Sequence, residues 1–177
     1  IEVHCFSRSG HSGLARNCRH PDSTGFPSPE PSLPADEMLA RDAALYHQLE
    51  SLLAIHTSSE PALLRQLSRL IPRNAVVFTG NSLAIREWNL CAEYGRGHRV
   101  HVLRGANGID GNLIAFLGIA ADEPEAWCIT GDLTALYDLS APWMLDQLSR
   151  GNRRFVVIQN GGGKIFSRLP SLRGLSP

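Results

Sequence analysis

Asp132 and Asn160 are the residues whose type and setting best suit the binding of a hard cation. Each sits just behind a short apolar run, AWCIT at 126–130 and RFVVIQ at 154–159, and each has glycine beside it in GDLTALYDL and NGGGKIF. If the two runs are neighbouring parallel strands, their axes lie about 4.8 Å apart, so an Asp carboxylate and an Asn amide oxygen can converge on one ion. Mg2+ takes such oxygen ligands together with phosphate oxygens and water. Glycines at 161–163 would let the backbone approach closely. The competing reading is local: an Asp between strand and helix commonly caps the helix, and glycine-rich strand exits are ordinary turns.

The elements that must position these residues follow a rhythm. AVVFT at 75–79 and RVHVL at 99–103 join the two runs above, and the segments between all four can hold crossover helices. That spacing predicts an α/β fold, a parallel sheet with helices on both faces, in which right-handed crossovers bring every strand C-terminus to one side. The residues that follow the strands are small, polar or glycine-rich: GNSLAIRE, RGANGIDG, GDLTALYDL and NGGGKIF. Ligands of open parallel sheets bind at that side. Upstream, Leu39, Leu45, Leu49, Leu52 and Leu53 predict one helix from Ala35, and a second is expected from Ala62 to Leu70, stopped by Pro72. Pro142 divides the segment after Asp132 into a turn of helix to Asp138 and a fresh helix from about Ala141 to Arg150.

Residues 1–6 could form a strand, but residues 7–34 carry five prolines and end in FPSPEPSLP. This composition reads as the tail of a preceding domain plus a proline-rich linker, leaving 35–177 as the ligand-binding domain. The chain starts at Ile1 rather than Met, and we expect it to be a piece of a longer protein. Seventeen basic and seventeen acidic residues among 177 cancel, so no broad field recruits nucleic acid or an anionic membrane. No apolar run is long enough to span a bilayer and no signal peptide is evident; a cytoplasmic location is expected, or a plastid if the source were a plant or alga. Cys91 and Cys128 sit in apolar patterns typical of buried thiols. His4, Cys5, His11, Cys18 and His20 form a weak zinc candidate whose spacing departs from paired ligands. The basic cluster RGNRR at 150–154 reads as solvated surface.

Together, GNSLAIRE, RGANGIDG, GDLTALYDL and GGGKIFSRLP resemble the C-terminal, thiamine-diphosphate-binding domain of the MenD family, the 2-succinyl-5-enolpyruvyl-6-hydroxy-3-cyclohexene-1-carboxylate (SEPHCHC) synthases of menaquinone or phylloquinone biosynthesis. The resemblance runs in order from about residue 60 to about 170. A G-D pair with a distant Asn says only thiamine diphosphate; RGANGIDG with GDLTALYDL is specific to this branch. Three features depart from the family: Gln159 stands where a second Asn is usual, the spacing from Asp132 to Asn160 is one residue longer than usual, and Lys164 stands where a neutral or small residue is expected.

The resemblance implies that Asp132, Asn160 and the Gly162 carbonyl hold Mg2+ (or Mn2+), with Gly131, Leu133 and Ile165 completing the thiamine diphosphate site. It implies that Ile109 supports the bent cofactor, that Phe166 and Leu169 wall the reacting centre, and that Ser82, Arg86 and Arg104 meet acidic substrate groups. The implied reaction decarboxylates 2-oxoglutarate and adds the succinyl unit to isochorismate. The implied partner is a pyrimidine-binding domain of another subunit in a homodimer or tetramer, whose glutamate activates the cofactor, so the chain alone is expected to be inactive. The alternatives are another thiamine-dependent decarboxylase or acetolactate-synthase-like enzyme, and a non-catalytic cofactor-binding or oligomerisation module.

Overall fold

A computed structural model of the chain describes residues 34–105 and 107–167. The expectations for residues 1–6, for His4, Cys5, His11, Cys18 and His20, and for Leu169 lie outside the described residues. By backbone contacts the described chain divides between His56 and Thr57 into two compact units. The first contains helix α1 (Ala35–Ile55), opened by Pro34 and by Asp36 and Glu37 in its first turn, where carboxylates favour the helix dipole.

The second unit is an α/β layer structure. Helix α2 (Glu60–Leu70) starts at Ser59, whose hydroxyl accepts the Ala62 N–H, and stops before Pro72 as expected. Strands β1 (Val76–Thr79), β2 (Arg99–His101), β3 (Glu125–Gly131) and β4 (Asn152–Ile158) form one sheet in the order β2-β1-β3-β4. Every pairing is parallel, with Gly131 opposite Ile158 at the end of β3 and β4. Helices α3 (Leu83–Cys91), α4 (Asn112–Ile119), α5 (Asp132–Tyr137) and α6 (Lys164–Ser167) follow the four strands in turn.

Alternation along the strands divides the core. Val76 and Phe78 face α4 and bury themselves with Leu113, Phe116, Leu117 and Cys128. Val77 points the other way, to Leu64 of α2, Trp88 of α3 and Ile129. This is the period-two consequence of the pleat, and it puts helices on both faces as the strand–helix rhythm predicted. Phe116 stacks edge-on against Phe155 with centroids 5.2 Å apart, which ties β4 to the α4 face. Each such buried side chain contributes about 1.5–3 kcal/mol relative to exposure. Cys91 and Cys128 are buried and form no disulfide among the described residues, and burial raises the Cys128 pKa.

Two expectations change. The helix foreseen from Ala141 to Arg150 is a 3-10 helix, Ala141–Gln147, with the Trp143 N–H donating to the Ser140 carbonyl and the Leu148 N–H to that of Leu145, three residues back, the tighter repeat common in short connecting helices. The RGNRR cluster is not uniformly solvated. Arg153 is half-buried and donates to the carbonyls of Ala120 and Ala121 at the end of α4, while Arg154 pairs with Glu125 and lies 4.9 Å from the Trp127 ring centroid.

Candidate functional site

The sheet order places a topological switch between β1 and β3, because α3 leads to one side of β1 and α4 to the other. A cavity of about 270 Å3 opens there, at the C-terminal ends of the strands. Such crevices are where parallel sheets bind ligands. Beside it Gly80 lets the chain leaving β1 run tight against β3: the Gly80 N–H donates to the Ile129 carbonyl at 2.7 Å, and a Cβ there would come within 2.8 Å of Thr130 Cγ2.

The turn out of β1 is strained. Ser82 has φ 71° and ψ −128°, a region costly for any residue with a Cβ. The buried pair Asn81 and Asn112 spans that turn and the loop behind β2. Asn112 Oδ1 accepts the Asn81 N–H at 3.1 Å, and both side-chain amides donate to the Gly108 carbonyl, at 2.7 and 3.2 Å. Their effect is to hold the loop carrying Ile109 against the cavity. The same loop is fixed from the far side by Asp138, whose two oxygens accept the Gly111 and Leu113 N–H groups at 2.8 Å each. An N-terminal cap on α4 is thus supplied from behind α5.

Asp132 does not cap its own helix. The N-cap of α5 is Gly131, with no side-chain cap bond. Asp132 Oδ1 accepts the Leu133 N–H at 2.8 Å, while Oδ2 reaches across to the next strand end and accepts Gly161 N–H at 3.1 Å and Gly162 N–H at 2.9 Å. Asn160 Oδ1 accepts the same Gly162 N–H at 3.2 Å. The carboxylate oxygen and the amide oxygen therefore meet at one backbone group. The loop can serve both because Gly161, Gly162 and Gly163 all have positive φ, at 86°, 73° and 63°, and a Cβ on Gly162 would press on Leu133 at 3.2 Å.

Glu60, at the start of α2, also lines the cavity, and its two oxygens accept from Asn160 Nδ2 at 3.1 and 3.2 Å. Neither Asp132 nor Glu60 has an ion-pair partner among the described residues. The Asp132 carboxylate and the Asn160 amide oxygen, side by side at the cavity, form a hard donor pair suited to a divalent cation. A carboxylate offers about four lone-pair sites and an amide oxygen two, so Asp132 and Asn160 each retain acceptor capacity after these bonds.

Of the residues singled out by the sequence, Ser82, Ile109, Gly131, Asp132 and Leu133 line the cavity from the first three strand exits. Asn160, Ile165 and Phe166 line it from the fourth, together with Lys164. Gly162 is hydrogen-bonded into the site without being part of the lining. Arg86 and Arg104 are exposed and outside the lining; the Arg86 guanidinium donates to the Ser82 carbonyl at 2.6 Å. Sequence reasoning missed Glu60, Asn81, Asn112 and the capping role of Asp138. Asn81 and Asp138 stood inside quoted motifs, whereas Glu60 lies 100 positions from its partner Asn160, and no spacing rule reaches so far.

No family model matches the chain. Curated relatives do. The chain is 41% identical to the 2-succinyl-5-enolpyruvyl-6-hydroxy-3-cyclohexene-1-carboxylate synthase of Bdellovibrio bacteriovorus over 96% of this chain and 33% of that protein. The synthase of Akkermansia muciniphila is 37% identical over 98% of this chain and 34% of its own length, and that of a Synechococcus species is 38% identical over 89% and 29%. The chain spans about a third of the length of these relatives. The resemblance read from RGANGIDG and GDLTALYDL is thus borne out along nearly the whole sequence: this chain is similar to a stretch of the SEPHCHC synthases, the MenD family, about one third of their length.

Proposed function

We propose that this chain is the diphosphate- and Mg2+-binding domain of a thiamine-diphosphate-dependent SEPHCHC synthase, which decarboxylates 2-oxoglutarate and transfers the succinyl unit to isochorismate. The observation that carries the reading is the meeting of Asp132 and Asn160 at the Gly162 amide, beside the cavity at the sheet's switch point. In this reading Asp132, Asn160 and the Gly162 carbonyl would hold Mg2+ or Mn2+, and the ion would supply positive charge suited to a diphosphate. Gly131, Leu133 and Ile165 line the same end, and Lys164 adds a cation suited to a diphosphate.

The bound cofactor supplies the electron sink for decarboxylation; the protein supplies orientation and charge. Ile109, stiff at χ1 because it is β-branched, is held toward the cavity by the loop that Asn81, Asn112 and Asp138 fix. Phe166, which lines the cavity, would supply an apolar wall beside the reacting centre. Ser82 offers a hydroxyl at the cavity rim. In this reading Arg86 and Arg104 would make charge-assisted bonds to the carboxylates of 2-oxoglutarate and isochorismate, in a substrate site completed by another domain; both are exposed in this chain.

A pyrimidine-binding domain of a second subunit is the partner we assign, in a homodimer or tetramer. Supporting it, Tyr137, Leu139 and Trp143 next to α5 are 67%, 67% and 84% exposed, an apolar surface that soluble chains seldom leave uncovered. No helix among the described residues is long and apolar enough to cross a membrane, and the reading goes with a cytoplasmic enzyme. The test is CO2 release from 2-oxoglutarate with Mg2+, thiamine diphosphate and isochorismate. We expect turnover by the complete enzyme and none by the chain alone; turnover by these 177 residues would require an activating carboxylate within them.

A further inference from the structure

We infer that Glu60 is a positioning residue that fixes which face of the Asn160 amide the cation site receives. The inference rests on the ion-binding reading of Asp132 and Asn160. A terminal amide has two ends of nearly equal size and opposite character, an acceptor oxygen and a donor NH2. Turned one way Asn160 is an oxygen ligand; turned the other way it presents N–H groups to a cation and repels it. Both Glu60 oxygens lie within hydrogen-bond reach of Asn160 Nδ2, at 3.1 and 3.2 Å. A carboxylate only accepts, so it can hold only the NH2 end.

The opposite end is then committed. Asn160 Oδ1 faces the Gly162 N–H at 3.2 Å, the group that also donates to Asp132 Oδ2 at 2.9 Å. Glu60 stands at the first position of α2, behind the Ser59 cap, so its backbone is anchored by a helix packed into the core through Leu64. The oxygen beside Asp132 is therefore oriented by a residue from a separate helix. Partners that orient a ligand in this way are worth about 10–100-fold in metal affinity.

The experiment uses two readouts on the purified protein. In the metal-free protein, the side-chain NH2 signals of Asn160 are followed by 15N NMR; a hydrogen bond to a carboxylate shifts them and slows their exchange. Glu60→Ala is expected to abolish that shift, and Glu60→Gln, which still accepts through Oε1, to retain most of it. Mn2+ binding in the presence of thiamine diphosphate is then measured by electron paramagnetic resonance. Glu60→Ala is expected to weaken Mn2+ about 10–100-fold, and Glu60→Gln to stay within about threefold of the unaltered protein. In an Asn160→Asp background, where there is no NH2 to orient, adding Glu60→Ala is expected to cause no further loss.

An unchanged Asn160 signal in Glu60→Ala overturns the inference. So does a Glu60→Gln variant as weak as Glu60→Ala, which would make the carboxylate's charge the active feature. Equal losses in both backgrounds overturn it too, because Glu60 would then act on the fold of α2. If the unaltered protein binds no Mn2+ while the Asn160 signal responds to Glu60, the ion reading of the site falls and the orienting bond stands.

Discussion

The two ends of the same parallel sheet are built on opposite electrostatic plans. At the N-terminal ends of β2 and β3, charge is cancelled within the protein. Arg99, opening β2, makes a two-pronged bond to Glu123 at 2.7 and 2.9 Å, and Glu125, opening β3, accepts from Trp127 at 2.7 Å and pairs with Arg154. The bond to Arg99 holds the Glu123 carboxyl below its ordinary pKa, and Arg99 is raised in turn. At the C-terminal ends, Asp132 is held by backbone amides and Glu60 by a neutral side chain, with a cavity between them. An ion pair completed inside the protein has little left to offer a ligand, whereas a carboxylate held only by neutral donors keeps its charge. Stability is invested at one end and binding capacity at the other.

That contrast breaks first at Asp132. Asp132→Ala is expected to weaken Mg2+-dependent thiamine diphosphate binding by about 100-fold or more, since losing a ligand exceeds losing a ligand's supporting partner. Far-UV circular dichroism should stay unchanged because the side chain adds little to core packing. Calorimetric titration decides; unaltered affinity in a folded variant would reduce Asp132 to a turn residue bridging β3 and the glycine loop.

Arg104 tests whether the charge at this end is meant for substrate. A lost charge-assisted bond costs about 1.5–3 kcal/mol, so Arg104→Ala in the complete enzyme is expected to raise KM for an acidic substrate roughly 10–100-fold, while cofactor affinity holds. Steady-state kinetics with both substrates varied would expose an unaffected enzyme, and with it a purely solvated Arg104.

Gly162 sharpens the comparison on the backbone side. Its φ of 73° and the 3.2 Å approach to Leu133 leave no comfortable place for a Cβ, and forcing a Cβ into that conformation costs about 1–2 kcal/mol. Gly162→Ala is expected to lose that much in urea denaturation and to weaken metal binding as well. A variant of unchanged stability would show that the loop relaxes freely.

The smallest effect is expected at the opposite end. Glu123→Gln removes a half-exposed ion pair worth about 0.5 kcal/mol or less. Because the folded Glu123 pKa lies below its ordinary 4.5, the pair stabilises fully above that value and fades as pH falls through the lower, folded one. Melting temperatures of the two proteins should therefore differ slightly near neutrality and converge in acid. A gap that widens on acidification would contradict the assigned direction.

The sequence by itself determined the strands, their parallel sense and the end where polar residues gather. Those features follow from local periodicity and from crossover lengths, and both are written in neighbouring residues. It also marked Asp132 and Asn160, because strand-exit positions are recognisable once the strands are. Tertiary structure alone decided that β3 and β4 pair directly, which turned two marked residues into one site. It gave a capping role to Asp138 instead of Asp132, toward backbone N–H donors of Gly111 and Leu113 that lie 27 and 25 positions away. It brought Glu60 to Asn160 across 100 positions, and it turned the supposed solvated arginines Arg153 and Arg154 into partners of the α4 terminus and of Glu125. The physical reason is common to all of these: a side-chain hydrogen bond constrains only the two groups it joins in space, and the chain between them carries no trace of it.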